Sequence, residues 1–337
     1  MIVVMRRGAP EAQRLAVEER VRGAGLLPHP IVGTERSVVA VVGDERVVEP
    51  EYFEVLAGVE KVLRVLAPYK LASREGRPEK SAVEVAGVPV GAEAVVLMAG
   101  PCTVEDRSQL IETAHAVKEA GARLLRGGAF KPRTNPYSFQ GLAEEGLALL
   151  AEAREATGLA VVTEVLSEHD VDLVAKYADM LQIGTRNMQN FLLLRAVGAQ
   201  KKHVLLKRGM SASLDEWLLA AEYILSCGNE RVVLCERGIR TFEDHVRNTL
   251  PLVSVPALRE RTHLPVVVDP SHGTGHASLV PAASLAAVAV GADGLLVEVA
   301  PDPASAVTDG AQTLSLRQFA ELAASLRPVA AAVARSI

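Results

Sequence analysis

VVLMAGPC, residues 95–102, is an unbroken apolar run that stops at a cysteine, and seven more runs of the same kind follow it. They lie at 123–125, 159–162, 180–183, 204–206, 232–234, 266–268 and 294–297, with segments of helical character between them. Short apolar runs bounded by polar residues are how strands buried on both faces read, and their alternation with helical stretches points to parallel β-α units. Eight such units over about 240 residues have the size of a (β/α)8 TIM barrel. A doubly wound sheet commonly has fewer strands and a glycine-rich nucleotide turn, and no GxGxxG follows the first run.

What stands after each run carries the argument further than the count. In order these residues are Cys102; Arg126; Glu164; Thr185 and Arg186; Lys207; Glu236 and Arg237; Asp269 and His272; and Glu298. A barrel gathers the carboxyl ends of its strands at one mouth, so all of them converge there. A solvated loop residue is the plainer explanation for any one of them, and a poor one for eight together. Cys102, His272, Glu298 and Asp309 come from the first, seventh and eighth strands and the loop beyond, which closure makes neighbours. Sulfur, imidazole and two carboxylates suit a borderline divalent ion such as Mn, Fe, Co or Zn without choosing among them. Singly, Cys102 is as readily a buried small residue and Asp309 a helix cap. Arg126, Lys131, Arg133, Arg186, Lys207 and Arg237 form a cluster of one sign, and guanidinium forks grip phosphate and carboxylate bidentately. A small, multiply anionic ligand fits them. Glu164, Glu236 and Asp269 either hold these cations or act as acid and base, and spacing leaves both open. Gly273-Thr274-Gly275 reads as a flexible turn, and Trp217, with Leu218 and Tyr223, as helix core.

The chain has 337 residues and a net charge of -5, so any basic site is local, and neither nucleic acid nor a membrane is an expected partner. No stretch is long and apolar enough to span a bilayer, and at the amino end the apolar residues precede Arg6 and Arg7, the reverse of a secretory signal. Three cysteines in so long a chain argue against a disulfide framework. A cytoplasmic, reducing setting is expected. Upstream of the barrel, an apolar run at 2–5, an amphipathic stretch at 11–24, a run at 37–42, a turn at Gly43-Asp44, a strand at 46–48, a helix at 50–56 and a strand near 62–66 read βαββαβ. That is a small ferredoxin-like module, a carrier of regulatory surfaces. The expected division is 1–72 for this domain, a polar linker at 73–81, and the barrel at 82–337, opened by a short hairpin at 83–89.

The strings AGPCTVE (99–105), LRGGAFKPRTN (125–135), QIGTRNMQN (182–190), LLKRGM (205–210), CERGIRTFE (235–243) and VDPSHGTG (268–275) closely resemble the 3-deoxy-D-arabino-heptulosonate 7-phosphate (DAHP) synthases. The likeness spans essentially the whole chain and fits the short type with a ferredoxin-like regulatory domain. It implies a transferase that condenses phosphoenolpyruvate, erythrose 4-phosphate and water into DAHP and phosphate, the first step toward the aromatic amino acids. It further implies Cys102, His272, Glu298 and Asp309 as ligands of a divalent metal that polarises the aldehyde. Arg126, Lys131, Arg186, Lys207 and Arg237, with Thr185, Asp269 and His272, would line the phosphoenolpyruvate site. Lys131, Pro132, Arg133 and Thr134 would position erythrose 4-phosphate, with Lys131 also an acid toward the aldehyde oxygen and Glu164 opposite the developing cation. Asn135 and Thr185 stand where Ser and Ala are frequent in the family, and both are small polar changes. The resemblance also implies inhibition by tyrosine or phenylalanine, with His29 as an effector contact, and because ferredoxin-like modules expose a sheet face that often pairs with another copy, a homotetramer is expected. Two alternatives are weighed. One is 3-deoxy-D-manno-octulosonate 8-phosphate synthase, whose loop typically reads KANRS-like where this chain has KPRT. The other is a non-catalytic sensor of metal and sugar phosphate, which an intact ligand set and cation cluster disfavour.

Overall fold

The computed structural model describes every residue except 34–35, 45–46, 65–67 and 134. It forms two compact units, Met1–Glu79 with Arg261–His263, and Lys80–Glu260 with Leu264–Ile337.

The first unit runs β1 (Ile2–Met5), α1 (Glu11–Gly23), β2 (Leu27–Val32), β3 (Ser37–Val42), α2 (Glu51–Glu54) and β4 (Val59–Leu63). Its strands form one antiparallel sheet in the order β2-β3-β1-β4, the ferredoxin-like arrangement. Alternation along β1 puts Met1, Val3 and Met5 on the helix-covered face, where they pack with Val17, Val21, Val39, Val41 and Phe53. The second strand differs from the sequence reading. It is LPHPIV, so the run at 37–42, expected second, is the third strand, and the stretch at 46–48, expected third, is not a strand: Val47 and Val48 are not extended and Arg46 lies outside the described residues. Pro28 and Pro30 argue against a central strand, but β2 is an edge strand, where amides on one side have no ladder partner to lose. The fourth strand begins at Val59 rather than Val62, and of its expected end Val65 and Leu66 lie outside the described residues.

The second unit opens with a hairpin, β5 (Val83–Val85) and β6 (Val88–Val90), paired Val83 to Val90. Eight parallel strands follow: β7 (Val96–Gly100), β8 (Leu124–Arg126), β9 (Ala160–Val165), β10 (Met180–Ile183), β11 (His203–Lys207), β12 (Val232–Glu236), β13 (Val266–Val268) and β14 (Gly294–Ala300). Each pairs with the next, and β14 pairs with β7, closing the barrel. Between them lie α3 (Arg107–Glu119), α4 (Ala143–Thr157), α5 (Val171–Tyr177), α6 (Phe191–Gln200), α7 (Leu214–Ser226), α8 (Ser254–Arg261), α9 (Pro270–Thr274) and α10 (Val280–Ala289). β15 (Leu314–Ser315) and α11 (Leu316–Ala332) complete the chain. The helices begin where local chemistry lets them. Asp106 and Asn190 cap α3 and α6, and Ser213 with Glu216 forms a capping box on α7. Trp217 is fully buried and donates to the Leu206 carbonyl at 3.2 Å, a core residue as its spacing implies.

The interior of the barrel is filled rather than open. Val83, Val85, Val88 and Val90 of the hairpin pack against Val96, Leu124, Ala160 and Met180 at the starts of the strands, plugging the amino end. The carboxyl end is left to polar residues. Gly273 and Thr274, read as part of a flexible turn, instead belong to α9, which Asp269 caps and Pro270 starts.

Candidate active site

Cys102, His272, Glu298 and Asp309 each bring one donor atom to a common point, all within 4.8 Å of one another. His272 Nε2 lies 3.3 Å from Glu298 Oε1 and 3.8 Å from Asp309 Oδ2, and the Cys102 thiol donates to Asp309 Oδ2 at 3.2 Å. The imidazole is aimed from behind. Asp269 Oδ2 accepts from His272 Nδ1 at 2.8 Å while Oδ1 accepts the His272 backbone amide at 2.9 Å, so Nε2 is the nitrogen facing the cluster. Burial would raise the Asp269 carboxyl, but neighbouring His272 and Lys207, each hydrogen-bonded to it, hold it well below the usual range. Burial pulls His272 down to about 4, which keeps the ring neutral and its lone pair available. Burial also pushes the Cys102 thiol up to about 12, with Glu298 adding and Lys131 opposing. A dication held by these donors would displace the thiol proton of Cys102. Asp309 itself sits in the left-handed region at φ 55°, a backbone state rare outside glycine and recurrent at functional sites. A thiol, a pre-aimed imidazole and two carboxylates fit a borderline divalent ion.

Beside the quartet is a cavity of about 380 Å³ at the carboxyl ends of the strands. Among the described residues it is lined by eight cations, Arg126, Lys131, Arg133, Arg186, Lys207, Arg237, Arg240 and Arg247, against the carboxylates Glu164 and Asp309. The cations fall into two groups. Some are held by the protein: Arg126 donates to Glu298 Oε1 at 3.0 Å and to the Pro101 carbonyl at 2.9 Å, and Lys207 Nζ lies 2.5 Å from Asp269 Oδ2. Lys131 Nζ donates to Cys102 Sγ, tying the cation pocket to the quartet. Others are open. Arg237 is 5% exposed, yet its Nε and one terminal nitrogen have no hydrogen-bond partner. Desolvation lowers the pKa of that guanidinium, although Asp269 opposes it. A buried, unsatisfied guanidinium at a cavity wall is placed for an anion.

The carboxylates left open by the sequence now differ. Glu236 is fully buried and saturated, accepting from Arg208 at 2.7 Å, Ser254 at 2.7 Å and the amides of Arg237 and Gly238 at 3.0 and 2.9 Å. It builds the turn that presents Arg237. Glu164 lines the cavity; burial raises its pKa against the charges of Lys131, Lys207 and Arg126 and a 3.2 Å hydrogen bond from Gln182. Gly184 makes room for it, since a Cβ there would lie 1.8 Å from Glu164 Oε1. Pro132 and Thr185 also line the cavity, and Thr134 lies outside the described residues. His29 is remote in sequence from these groups, in β2 opposite Ala40. Arg240, Arg247 and Gln312 were missed by the sequence reading, because they follow the strand ends by several residues and carry no periodic signal.

Two family patterns match the chain: the DAHP synthetase I family over residues 78–334 and the DAHP synthase ferredoxin-like domain over residues 1–67. A phospho-2-dehydro-3-deoxyheptonate aldolase of Thermotoga maritima is 49% identical over 333 residues, 99% of this chain and 98% of that one. A 2-dehydro-3-deoxyphosphooctonate aldolase of Syntrophotalea carbinolica is 34% identical over 70% of this chain and 91% of its own. The crystal structure of the Thermotoga maritima DAHP synthase superposes with a TM-score of 0.80 at 48% identity, covering 99% of this chain and 98% of that one. A truncated form of the Thermotoga enzyme superposes at 0.74, with 47% identity over 79% of this chain and 98% of that one. Pattern, full-length relative and fold thus agree with the mouth of the barrel: the chain is an enzyme of the DAHP synthetase I family, with the ferredoxin-like DAHP synthase domain at its amino end.

Proposed function

We propose that the chain joins phosphoenolpyruvate to erythrose 4-phosphate and water, giving DAHP and inorganic phosphate. The observation that carries this reading is that His272 and Asp309 of the quartet line the same cavity as the eight cations, with Lys131 hydrogen-bonded to Cys102 at their junction. Arg186 and Arg237 receive the phosphate of phosphoenolpyruvate, and Arg126 and Lys207 its carboxylate side; Pro132, Arg133 and Thr134 orient the sugar phosphate. A divalent ion held by Cys102, His272, Glu298 and Asp309 supplies, when bound, Lewis-acid polarisation of the aldehyde. Carbon 3 of phosphoenolpyruvate forms the new bond to the aldehyde carbon, and Lys131 gives its proton to the resulting alkoxide. Water then adds at carbon 2, the bond from carbon 2 to the phosphate oxygen breaks as the ketone forms, and of the two water protons one leaves with inorganic phosphate and the other restores Lys131. Glu164 faces the positive charge that develops at carbon 2. Glu164→Gln is expected to lower kcat by about 10- to 100-fold at similar KM; an unchanged kcat removes Glu164 from the chemistry.

The octulosonate branch is the weaker reading. Its relatives are less similar and cover 67–71% of this chain, and the loop here is KPRT. The test follows phosphoenolpyruvate absorbance with erythrose 4-phosphate or arabinose 5-phosphate, with and without a chelator. Consumption with erythrose 4-phosphate alone, lost to the chelator and restored by metal, is the expected result. Consumption only with arabinose 5-phosphate assigns the sister reaction, and none with either sugar leaves a sensor. The amino-terminal unit confers inhibition by tyrosine or phenylalanine through a surface that includes His29, in a cytoplasmic homotetramer. Deleting residues 1–75 should abolish that inhibition and spare turnover; inhibition that survives the deletion refutes it.

A further inference from the structure

The loop after β12 brings Arg247 to the quartet, on Asp309. Ile239 and Thr249 pair antiparallel across its base, and its returning limb is fastened to α9. The Arg247 amide donates to the Thr274 carbonyl at 3.0 Å, the Asn248 amide to Gly273 at 3.0 Å, and Asn248 Nδ2 to the carbonyl of His272 at 2.9 Å. Gly275 permits this approach: it has φ 74°, and a Cβ on it would lie 2.4 Å from Arg247 Cβ. Held there, Arg247 donates to Asp309 Oδ1 at 3.1 Å and to Gln312 Oε1 at 2.7 Å. Gln312 is 2% exposed and passes the contact on, its Nε2 donating to Glu298 Oε2 at 2.7 Å. One oxygen of each carboxylate is thereby tied back. The other oxygens, Asp309 Oδ2 and Glu298 Oε1, are those that face Cys102 and His272.

We propose that Arg247 and Gln312 are a positioning pair that sets the rotamers of two ligand carboxylates before a cation arrives. The inference rests on the reading of the quartet as a divalent-metal site. An amide at 312 accepts from the arginine with one atom and donates to the carboxylate with the other. Glutamate would face Glu298 with a second acceptor, and leucine would make neither bond. The charge on Arg247 works against cation binding, but its side chain is 38% exposed and screened by solvent, so orientation outweighs repulsion.

The test measures Co2+ binding to the full-length, metal-stripped protein by chelator competition and by the visible spectrum of the bound ion. Wild type is compared with Gln312→Leu, Arg247→Met and Arg247→Lys, and thermal unfolding of the metal-free forms checks folding. Arg247→Met, at a part-exposed site, decides the matter if the buried Leu variant does not fold. Gln312→Leu and Arg247→Met are expected to bind Co2+ about 10- to 100-fold more weakly, with an altered spectrum. Arg247→Lys should fall between, since it keeps the charge but lacks the planar fork. Affinities within about twofold of wild type, or tighter binding by Arg247→Met, overturn the inference while leaving the metal site intact. Failure of wild type to take up Co2+ overturns the reading of the quartet itself.

Discussion

At the amino end of the barrel Asp293, 2% exposed in its side chain, takes Arg335 at 3.3 Å, Arg259 at 3.6 Å and Lys80, and accepts the Val266 amide at 2.9 Å. At the carboxyl end Arg186 and Arg240 line the cavity with no ion pair among the described residues, and Arg237 leaves two nitrogens unsatisfied. Both ends concentrate cations, yet one gathers them on a buried carboxylate while the other holds Arg186, Arg237 and Arg240 outside any ion pair among the described residues. The first arrangement ties the start of β14 to the hairpin region and the chain terminus, and its worth is structural. The second is like-charge repulsion kept in reserve for a ligand, at some expense in stability. Cations left without an ion pair, Arg186 and Arg240 exposed and Arg237 buried, separate the working end of this barrel from the closed one.

Substitutions should break that contrast in opposite ways. Lys131→Met, at the junction of pocket and quartet, should cost about 10³- to 10⁴-fold in kcat in the phosphoenolpyruvate assay, the upper range for a proton donor. Less than a tenfold loss removes Lys131 from the proton transfer. Asp293→Leu strands three cations at the closed end, and chemical unfolding should show a loss of about 3–5 kcal/mol with kcat of the folded enzyme unchanged. A loss of activity without a loss of stability would reverse the roles assigned to the two ends. Arg237→Met should raise KM for phosphoenolpyruvate by about 10- to 100-fold, the weight of one or two charge-assisted hydrogen bonds, while Tm holds or rises. A fall in Tm would instead mark Arg237 as a structural cation like those around Asp293. Smallest is the response to salt: raising ionic strength from about 0.05 to 0.5 M should lower kcat/KM a few-fold and scarcely move Tm.

The same contrast governs how much could be read beforehand. Barrel strands are buried on both faces, so 180–183 and 266–268 stand out as apolar runs and match β10 and β13 residue for residue. Residues at the strand ends inherit that clarity, which is why Cys102, Arg126, Glu164, Lys207, Arg237 and Glu298 could be placed at the mouth. β2 was hidden because two prolines are tolerable only on an edge, and edge position is a property of the sheet rather than of the strand. Arg247 and Gln312 were hidden for a related reason. Arg247 sits on a long loop and Gln312 in the 3-10 turn that follows Asp309, and their roles exist only through contacts with one another and with Glu298. Glu236 showed its chemistry type but not its task, since saturation by Arg208, Ser254 and two amides is a matter of tertiary geometry.

The most direct test of the central claim is thermal unfolding with and without phosphoenolpyruvate, in wild type, in the double variant Arg186→Met/Arg237→Met, and in Lys80→Met. At about 100 times Kd the ligand should add about 2.7 kcal/mol to wild type and to Lys80→Met, a rise of several degrees in Tm. The double variant should gain nothing at the same concentration. An equal rise in the double variant would contradict the account, because the unpaired cations at the mouth would then not be what receives the anion.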